Sequence, residues 1–158
     1  MRVDYISPFT EATFAILKES LGCEVKRGDI SLKPTSEHIL GVAALVGLAG
    51  DVEGRVIFDM TKKTALWVVS KMNDGEVFTE LNDMAKATIQ ELANMITAQA
   101  VTKLHNLGFK FDLTPPALFT GENMEISSLG KVEALVVPAD LAEGIRIEVN
   151  VAIRERVK

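Results

Sequence analysis

The chain contains a single cysteine, Cys23, among its 158 residues, so no disulfide bond can form within it. One free thiol is typical of a protein that stays in a reducing compartment. The two histidines, His38 and His105, do not stand at the spacing from cysteine or from each other that zinc sites use. The sequence therefore predicts neither a disulfide scaffold nor a metal centre of its own.

Positive charge and long apolar segments are also scarce. Lys and Arg number 17 against 22 Asp and Glu, a net charge of −5, whereas a nucleic-acid-binding protein needs a clustered basic face. The longest apolar run, residues 39–50, is shorter than the ~20 residues that a membrane-spanning helix needs. Asp4, Pro8 and Glu11 interrupt any signal-peptide pattern at the N-terminus. We therefore expect a soluble, cytoplasmic protein that binds neither nucleic acid nor a membrane.

What is present is the composition of an ordinary folded domain, with 47% hydrophobic and 25% charged residues. A chain of this length is expected to form one domain, residues 1–158, around one core. Helices are predicted where apolar residues recur every three to four positions between capping residues. They are residues 7–21, begun by Ser7-Pro8 and closed by Gly22; 61–72, capped by Thr61; and 82–106, followed by Gly108.

Strands are predicted at residues 38–48, 55–60, 132–137 and 145–154, with a turn at residues 51–54. In the last of these, apolar and polar residues alternate, which is typical of an antiparallel strand with one solvent-facing side. Residues 109–113 are expected to be extended, up to the break at Thr114-Pro115-Pro116. The prediction is an α/β fold of the α+β type, with a central mixed, largely antiparallel sheet and the two longest helices packed on one face.

The order of the elements contains a faint internal repeat. Leu21-Gly22 and Leu107-Gly108 each end a predicted helix, and an extended stretch, a proline break and a strand pair follow in both cases. The proline breaks are Pro34 and Pro115-Pro116, and the strand pairs bend at Glu53-Gly54 and Glu143-Gly144. A degenerate duplication and a chance likeness are both compatible with this pattern.

Glu91 and Asn94 are the pair of residues best suited to chemistry, because they project from one face of the long helix, one turn apart. At ~100° per residue, the apolar stripe of this helix lies on the opposite side. Ala87 and Ala98 flank the pair and would leave its acid and amide exposed, as docking to another macromolecule requires. The competing explanation is an ordinary solvated helix face, which is the usual setting of an exposed Glu and Asn.

The segment Glu91-Leu-Ala-Asn94-Met-Ile, with Leu113-Thr114-Pro115-Pro116 after the helix, resembles the signature of the CheC/CheX/FliY family of bacterial chemotaxis phosphatases. That signature has Ser or Asp, then Glu after three intervening residues, Asn after two more, and a proline further on, where Pro116 stands. Ala87 replaces the Ser or Asp. Phe9, the hairpin at residues 50–58 and the overall length fit as well. Because the first helix lacks a second Glu-x-x-Asn, the chain is most similar to the single-site CheX group.

The resemblance implies a fold, an activity and a partner. Asn94 would orient the water that attacks the aspartyl phosphate of a CheY-type response regulator, and Glu91 would bind the regulator's active-site lysine. Mg²⁺ would belong to the regulator, so the chain would have no cofactor of its own. The docking surface would include Ala87, Met95, Ala98 and Pro116. The resemblance also implies a homodimer joined through sheet edges, which the apolar strand at residues 39–48 supports weakly.

Two alternatives stay open on the sequence. A non-catalytic adaptor or flagellar switch-like domain of the same fold would bind regulators without hydrolysing phosphate, but it would have no use for a water-positioning amide. An unrelated small-molecule-binding domain would need a concave apolar pocket, of which the sequence shows no trace. His105 is expected to lie about 16 Å along the helix axis from Asn94, outside a shared centre, and Trp67 and Cys23 are expected to be packing residues.

Overall fold

The computed structural model describes residues 3–33, 37–126 and 133–156, which contain three helices and ten strands. The helices are α1 (Val3–Leu21), α2 (Lys62–Met72) and α3 (Asp83–Asn106). The strands before α2 are β1 (Lys26–Arg27), β2 (Ser31–Lys33), β3 (Glu37–His38), β4 (Val42–Gly50) and β5 (Val52–Met60). The strands after α3 are β6 (Phe111–Leu113), β7 (Ala117–Thr120), β8 (Glu125–Ile126), β9 (Ala134–Ala142) and β10 (Ile145–Glu155).

One eight-stranded sheet organises the domain. Its order is β1-β9-β10-β5-β4-β6, with β2 also beside β9 and β7 also beside β4, while β3 and β8 form a separate pair. Every pairing between the described strands is antiparallel. The predicted α+β fold with a largely antiparallel sheet is therefore confirmed, and the described part of the sheet contains no parallel pair.

All three helices pack on one face of the sheet, around a single main core. α1 and α3 contact each other and reach β10 and β4, as predicted for the two longest helices, and α2 joins them on the same face. The apolar stripe predicted for α3 is buried along its whole length: Ala85, Ile89, Leu92, Ala93, Ile96, Ala100 and Leu104. Because this stripe fixes the rotation of α3, it also determines which residues of the helix face solvent.

Both ends of α3 are set by local sequence. The Asn82 side chain accepts a hydrogen bond from the Ala85 backbone N–H (2.8 Å), which satisfies one of the free donors of the first turn. At the other end, Gly108 has φ 95°, a backbone conformation that glycine adopts without strain. The predicted bounds, 82–106, agree with these caps to within one residue.

The predicted starts of α1 and β4 are wrong. α1 begins at Val3 instead of Ser7, so Pro8 lies inside the helix. The helix has this additional first turn because Ile6 and Phe9 are buried, which offsets the hydrogen bond that the missing proline N–H cannot form. The strand predicted at residues 38–48 begins only at Val42, because Gly41 has φ 142° and redirects the chain. His38 instead pairs with Glu125 in the β3–β8 ribbon.

The first hairpin also differs from the prediction. β4 and β5 meet at Asp51 alone, so Glu53 and Gly54 lie inside β5. A Cβ at position 54 would clash with the Ala152 carbonyl of the neighbouring strand, which is why glycine is required there. β9 extends beyond the predicted 132–137 to Ala142, passing through the buried Pro138. Val132, Pro34 and the loop residues Ser127-Ser128 lie outside the described residues.

The architecture favours the internal duplication. Each half has one long helix, short strands and one long hairpin, and the hairpins β4–β5 and β9–β10 pair through β5 and β10 at the sheet centre. Aligning Leu21 with Leu107, an offset of 86 residues (107 minus 21), places Tyr5 at the position of Glu91 and Pro8 at that of Asn94. The acid–amide pair is therefore present only in the second half.

Candidate active site

Glu91 and Asn94 lie on the exposed face of α3, away from the sheet. Within residues 3–33, 37–126 and 133–156, no side chain forms a hydrogen bond or ion pair with the Glu91 carboxylate or the Asn94 carboxamide. The residues one turn from Glu91 on the helix surface offer no cation, since they are Ala87, Thr88, Asn94 and Met95. Both functional groups are therefore available to a partner, while the buried stripe below them keeps their backbone rigid.

The surface around the pair is low, as the sequence predicts. Ala87 and Ala98 are both exposed, so one short side chain lies beside Glu91 and the other beside Asn94. Met84 is 56% exposed on the same side of the helix. Met95, which was expected on the docking surface, is half-buried and packs against the main core. Only its exposed edge is accessible to a partner.

The edge strands β6 and β7 are joined by a bulge that lies beside this face of α3. β6 and β7 both pair with β4, with Leu113 opposite Leu48 and Ala117 opposite Leu45. Three residues, 114–116, therefore stand opposite the two residues 46 and 47, which is the count of a β-bulge. Two of the three are prolines, which have no N–H to donate to a strand ladder.

We call residues 114–116 the 114–116 bulge. Because its prolines cannot donate ladder hydrogen bonds, Thr114 and Gln90 provide the hydrogen bonds that hold it. Thr114 N–H donates to the Gly47 carbonyl (3.0 Å), and the Thr114 hydroxyl oxygen accepts from Gly47 N–H (2.8 Å). A Cβ on residue 47 would lie 3.2 Å from Thr114 Cγ2, so glycine leaves the room that this arrangement needs. On the other side of the bulge, Gln90 Nε2 donates to the Pro116 carbonyl (3.1 Å).

This last bond brings Pro116 to the helix that carries the acid–amide pair. Gln90 and Asn94 are four residues apart and so lie on the same side of α3. At ~100° per residue, Met95 lies on the far side of Glu91 from Asn94. Pro116 therefore lies on the Asn94 side of the helix.

Sequence reasoning missed Gln90 and Thr114. Gln90 belongs to no motif, Thr114 entered only as part of the segment before Pro116, and the bond from Gln90 to Pro116 spans 26 residues of sequence. The available signal was the spacing of Gln90 from Asn94 together with the two prolines, which must break a strand ladder. Neither observation says on which side of the helix the break lies.

The other candidate residues lie apart from the acid–amide pair. His105 packs edge-on against Phe111, with ring centroids 5.2 Å apart. The Trp67 ring packs partly against the core, with Lys71 Nζ 5.3 Å from its centroid. Burial raises the pKa of the Cys23 thiol, which disfavours the reactive thiolate, and nearby Lys71 lowers it by a smaller amount.

A depression on the described surface lies away from the acid–amide pair. An open depression of about 530 Å³ lies at the end of α3, bordered by His105, Phe109 and Asp112, and neither Glu91 nor Asn94 lines it. Among the described residues, no three His, Cys, Asp or Glu side chains are grouped so that they could hold a metal ion. Over the same residues, no helix is both long and apolar enough to cross a membrane.

The sequence is similar to those of known chemotaxis proteins. A family model described as chemotaxis phosphatase CheX matches residues 42–140. The CheY-P phosphatase CheX of Thermotoga maritima is 30% identical over 140 residues, which cover 89% of this chain and 90% of that protein.

Solved structures agree in fold over nearly the whole chain. A chain in the crystal structure of the CheX–CheY–BeF3–Mg²⁺ complex from Borrelia burgdorferi is 48% identical, with a TM-score of 0.85, covering 98% of this chain and 100% of that one. A CheC-like superfamily protein from Shewanella sp. PV-4, 24% identical, has the same fold, with a TM-score of 0.86 over 98% of this chain and 99% of that one.

An antiparallel sheet with three helices packed on one face is the fold that this chain shares with the CheC-like superfamily protein. Within that fold class, the chain belongs to the CheX family of chemotaxis phosphatases. The predicted family is therefore confirmed, and so is the closer likeness to its CheX group.

Proposed function

We propose that this chain is a phosphatase that hydrolyses the aspartyl phosphate of a CheY-type response regulator, with Asn94 and Glu91 supplying its half of the active site. The observation that carries the proposal is the exposed acid–amide pair on α3, which has no partner among the described side chains. Membership of a phosphatase family and the likeness to a CheX–CheY complex support it. The cytoplasm, where such regulators act, is its proposed location.

Asn94 is the residue that would place the attacking water. The water oxygen attacks phosphorus, the bond from phosphorus to the aspartyl oxygen breaks, and its electron pair goes to the regulator's carboxylate. Inorganic phosphate leaves, and the water's proton passes to phosphate or solvent. A carboxamide accepts and donates hydrogen bonds without a charge that would repel the phosphoryl oxygens. Held in line, the water needs no further orientation, which lowers the barrier.

Glu91 would bind a cation of the partner. A carboxylate aimed at the phosphoryl group would be repelled by it, so its useful position is beside that group, paired with the regulator's active-site lysine. Glu91 meets this requirement because the helix offers it no cation of its own. The pair would fix the rotation of α3 over the regulator and thereby aim Asn94.

The remaining members of the site would shape the contact. Ala87 and Ala98 keep the helix face low enough for close approach, and Met95 and Pro116 would border the contact. Mg²⁺ would be bound by the regulator and would neutralise charge on the phosphoryl oxygens there. The Ala at position 87, where the family signature has Ser or Asp, removes one polar side chain from the helix face.

We also propose a homodimer joined through sheet edges, but the strands that would join it are not residues 39–48. Residues 39–48 do not form an edge, since β4 pairs with β5 on one side and with β6 and β7 on the other. Among the described strands, the edges of the sheet are β1 with β2 and β6 with β7. Phe119 of β7 is 43% exposed, and an edge with an exposed aromatic residue favours pairing with another chain.

One assay separates the enzyme from a non-catalytic adaptor of the same fold. The regulator is phosphorylated with a small-molecule phosphodonor, the donor is removed, and phosphate release is followed with and without this chain. We expect release to be faster with the chain present and to depend on its concentration in a saturable way. Binding to the regulator without any acceleration would support the adaptor instead.

A further inference from the structure

The 114–116 bulge has a counterpart in the first half of the fold. β1 and β2 both pair with β9, with Arg27 opposite Ala139 and Ser31 opposite Val136. Three residues again stand opposite two, so the bulge itself belongs to the repeated architecture. What distinguishes the two copies is therefore the side chains that hold each bulge and not its presence.

The first copy needs fewer side-chain bonds. Gly28 N–H donates to the Pro138 carbonyl (3.0 Å), as Thr114 N–H donates to Gly47 in the second copy. Pro138 has no N–H that would require an acceptor in return, and residue 28 is a glycine. In the second copy, Gly47 has an N–H, and the Thr114 hydroxyl accepts from it. The second bulge thus has a side-chain hydrogen bond to β4 in addition to the backbone bond that both copies share.

Gln90 adds a third bond that crosses from the edge strand to the helix. It stands one residue before Glu91 and one turn before Asn94, and its Nε2 donates to the Pro116 carbonyl at 3.1 Å. Pro115 and Pro116 also limit the backbone freedom of the segment, because each ring fixes φ. Thr114 and Gln90 thus bond the bulge to β4 and to α3, beside Glu91 and Asn94.

We propose that Gln90 is a positioning residue, which holds the 114–116 bulge against α3 as a fixed wall of the docking surface beside Asn94. The wall meets the regulator next to the water-orienting amide, so its fixed place lowers the ordering that binding would otherwise require. The role rests on the proposed function for its consequence in catalysis. The bond from Gln90 to Pro116 itself is a property of the free chain.

Gln90→Met tests the role, because methionine has similar length and no charge but cannot donate a hydrogen bond. Gln99→Met is the matched control, since Gln99 lies on the same helix about 180° away from Gln90. We expect Gln90→Met to raise the KM for phosphorylated regulator about fivefold, the usual effect of one lost hydrogen bond, with kcat little changed. Amide hydrogen exchange at residues 113, 114, 117 and 118 should become faster in the free protein, and Gln99→Met should change neither the exchange nor the KM.

Two variants of Thr114 test the same role, so the result does not depend on whether Gln90→Met disturbs folding. Thr114→Val removes the hydroxyl acceptor and should act like Gln90→Met, whereas Thr114→Ser keeps it and should behave as wild type. Unchanged exchange in Gln90→Met, or faster exchange with an unchanged KM, would overturn the proposal. If wild type does not release phosphate, the proposed function fails. The Kd for beryllofluoride-bearing regulator then replaces the KM, and equal values for wild type and Gln90→Met, or no binding, would overturn the positioning role.

Discussion

Asn94→Ala is expected to slow phosphate loss from the regulator by about 100-fold or more, while the two proteins still bind. The alanine keeps the helix and removes only the carboxamide, which lies on the surface and forms no hydrogen bond with another described side chain. The attacking water would then have to be oriented by chance, although the phosphoryl group, Mg²⁺ and lysine of the regulator stay in place. The loss should therefore fall on kcat, with KM little affected.

The matched control for this variant is Asn106→Ala, at the exposed last residue of the same helix. Both variants remove one exposed asparagine from α3, so a general effect on the helix would appear in both. Phosphate release under single-turnover conditions, with binding measured separately, distinguishes a chemical defect from a docking defect. Full activity in Asn94→Ala would rule out the water-orienting role.

Glu91→Gln is expected to lower kcat/KM by roughly 30-fold or more. This is the usual loss when one partner of a desolvated, hydrogen-bonded charge pair is removed. Glutamine keeps the size of the side chain and its hydrogen-bonding oxygen, so the loss reports the charge. The weakening should appear mainly as a higher KM and as a higher Kd for beryllofluoride-bearing regulator, because the lysine that Glu91 faces is left desolvated and unpaired.

Glu76→Gln is the control for Glu91→Gln, since it removes an equally exposed carboxylate outside the helices. A charge exchange makes the test sharper: Glu91→Lys should fail with wild-type regulator and recover part of its binding with a regulator whose active-site lysine is replaced by glutamate. If Glu91→Lys binds wild-type regulator as well as the unaltered chain does, Glu91 does not face that lysine.

The parts of the fold that sequence predicted well are those fixed by short-range pattern. The period of the apolar residues and the caps Asn82 and Gly108 set α3 to within one residue. Errors arose where burial overrides local preference or where a single glycine changes the direction of the chain. α1 continues before Pro8 because Ile6 is buried, and β4 starts at Val42 because Gly41 turns the chain.

In the candidate site, too, some features follow from short-range sequence pattern and others do not. The positions of Glu91 and Asn94 on the face opposite the apolar stripe follow from helical spacing alone, and the structure agrees. The wall beside them does not follow from spacing, because it depends on the register of two edge strands against β4 and on a bond from Gln90 to Pro116. Helical spacing puts Met95 at the edge of the docking surface, and the structure shows it at the boundary where the helix meets the core.

The central claim is that the exposed face of α3 completes an active site on another protein, and the structure of this chain bound to Mg²⁺ and beryllofluoride-bearing regulator tests it most directly. The account predicts the Asn94 carboxamide within hydrogen-bonding distance of a water in line with the beryllium, and the Glu91 carboxylate paired with the regulator's lysine. A complex in which another surface of the chain meets the regulator, with Asn94 facing solvent, would contradict it.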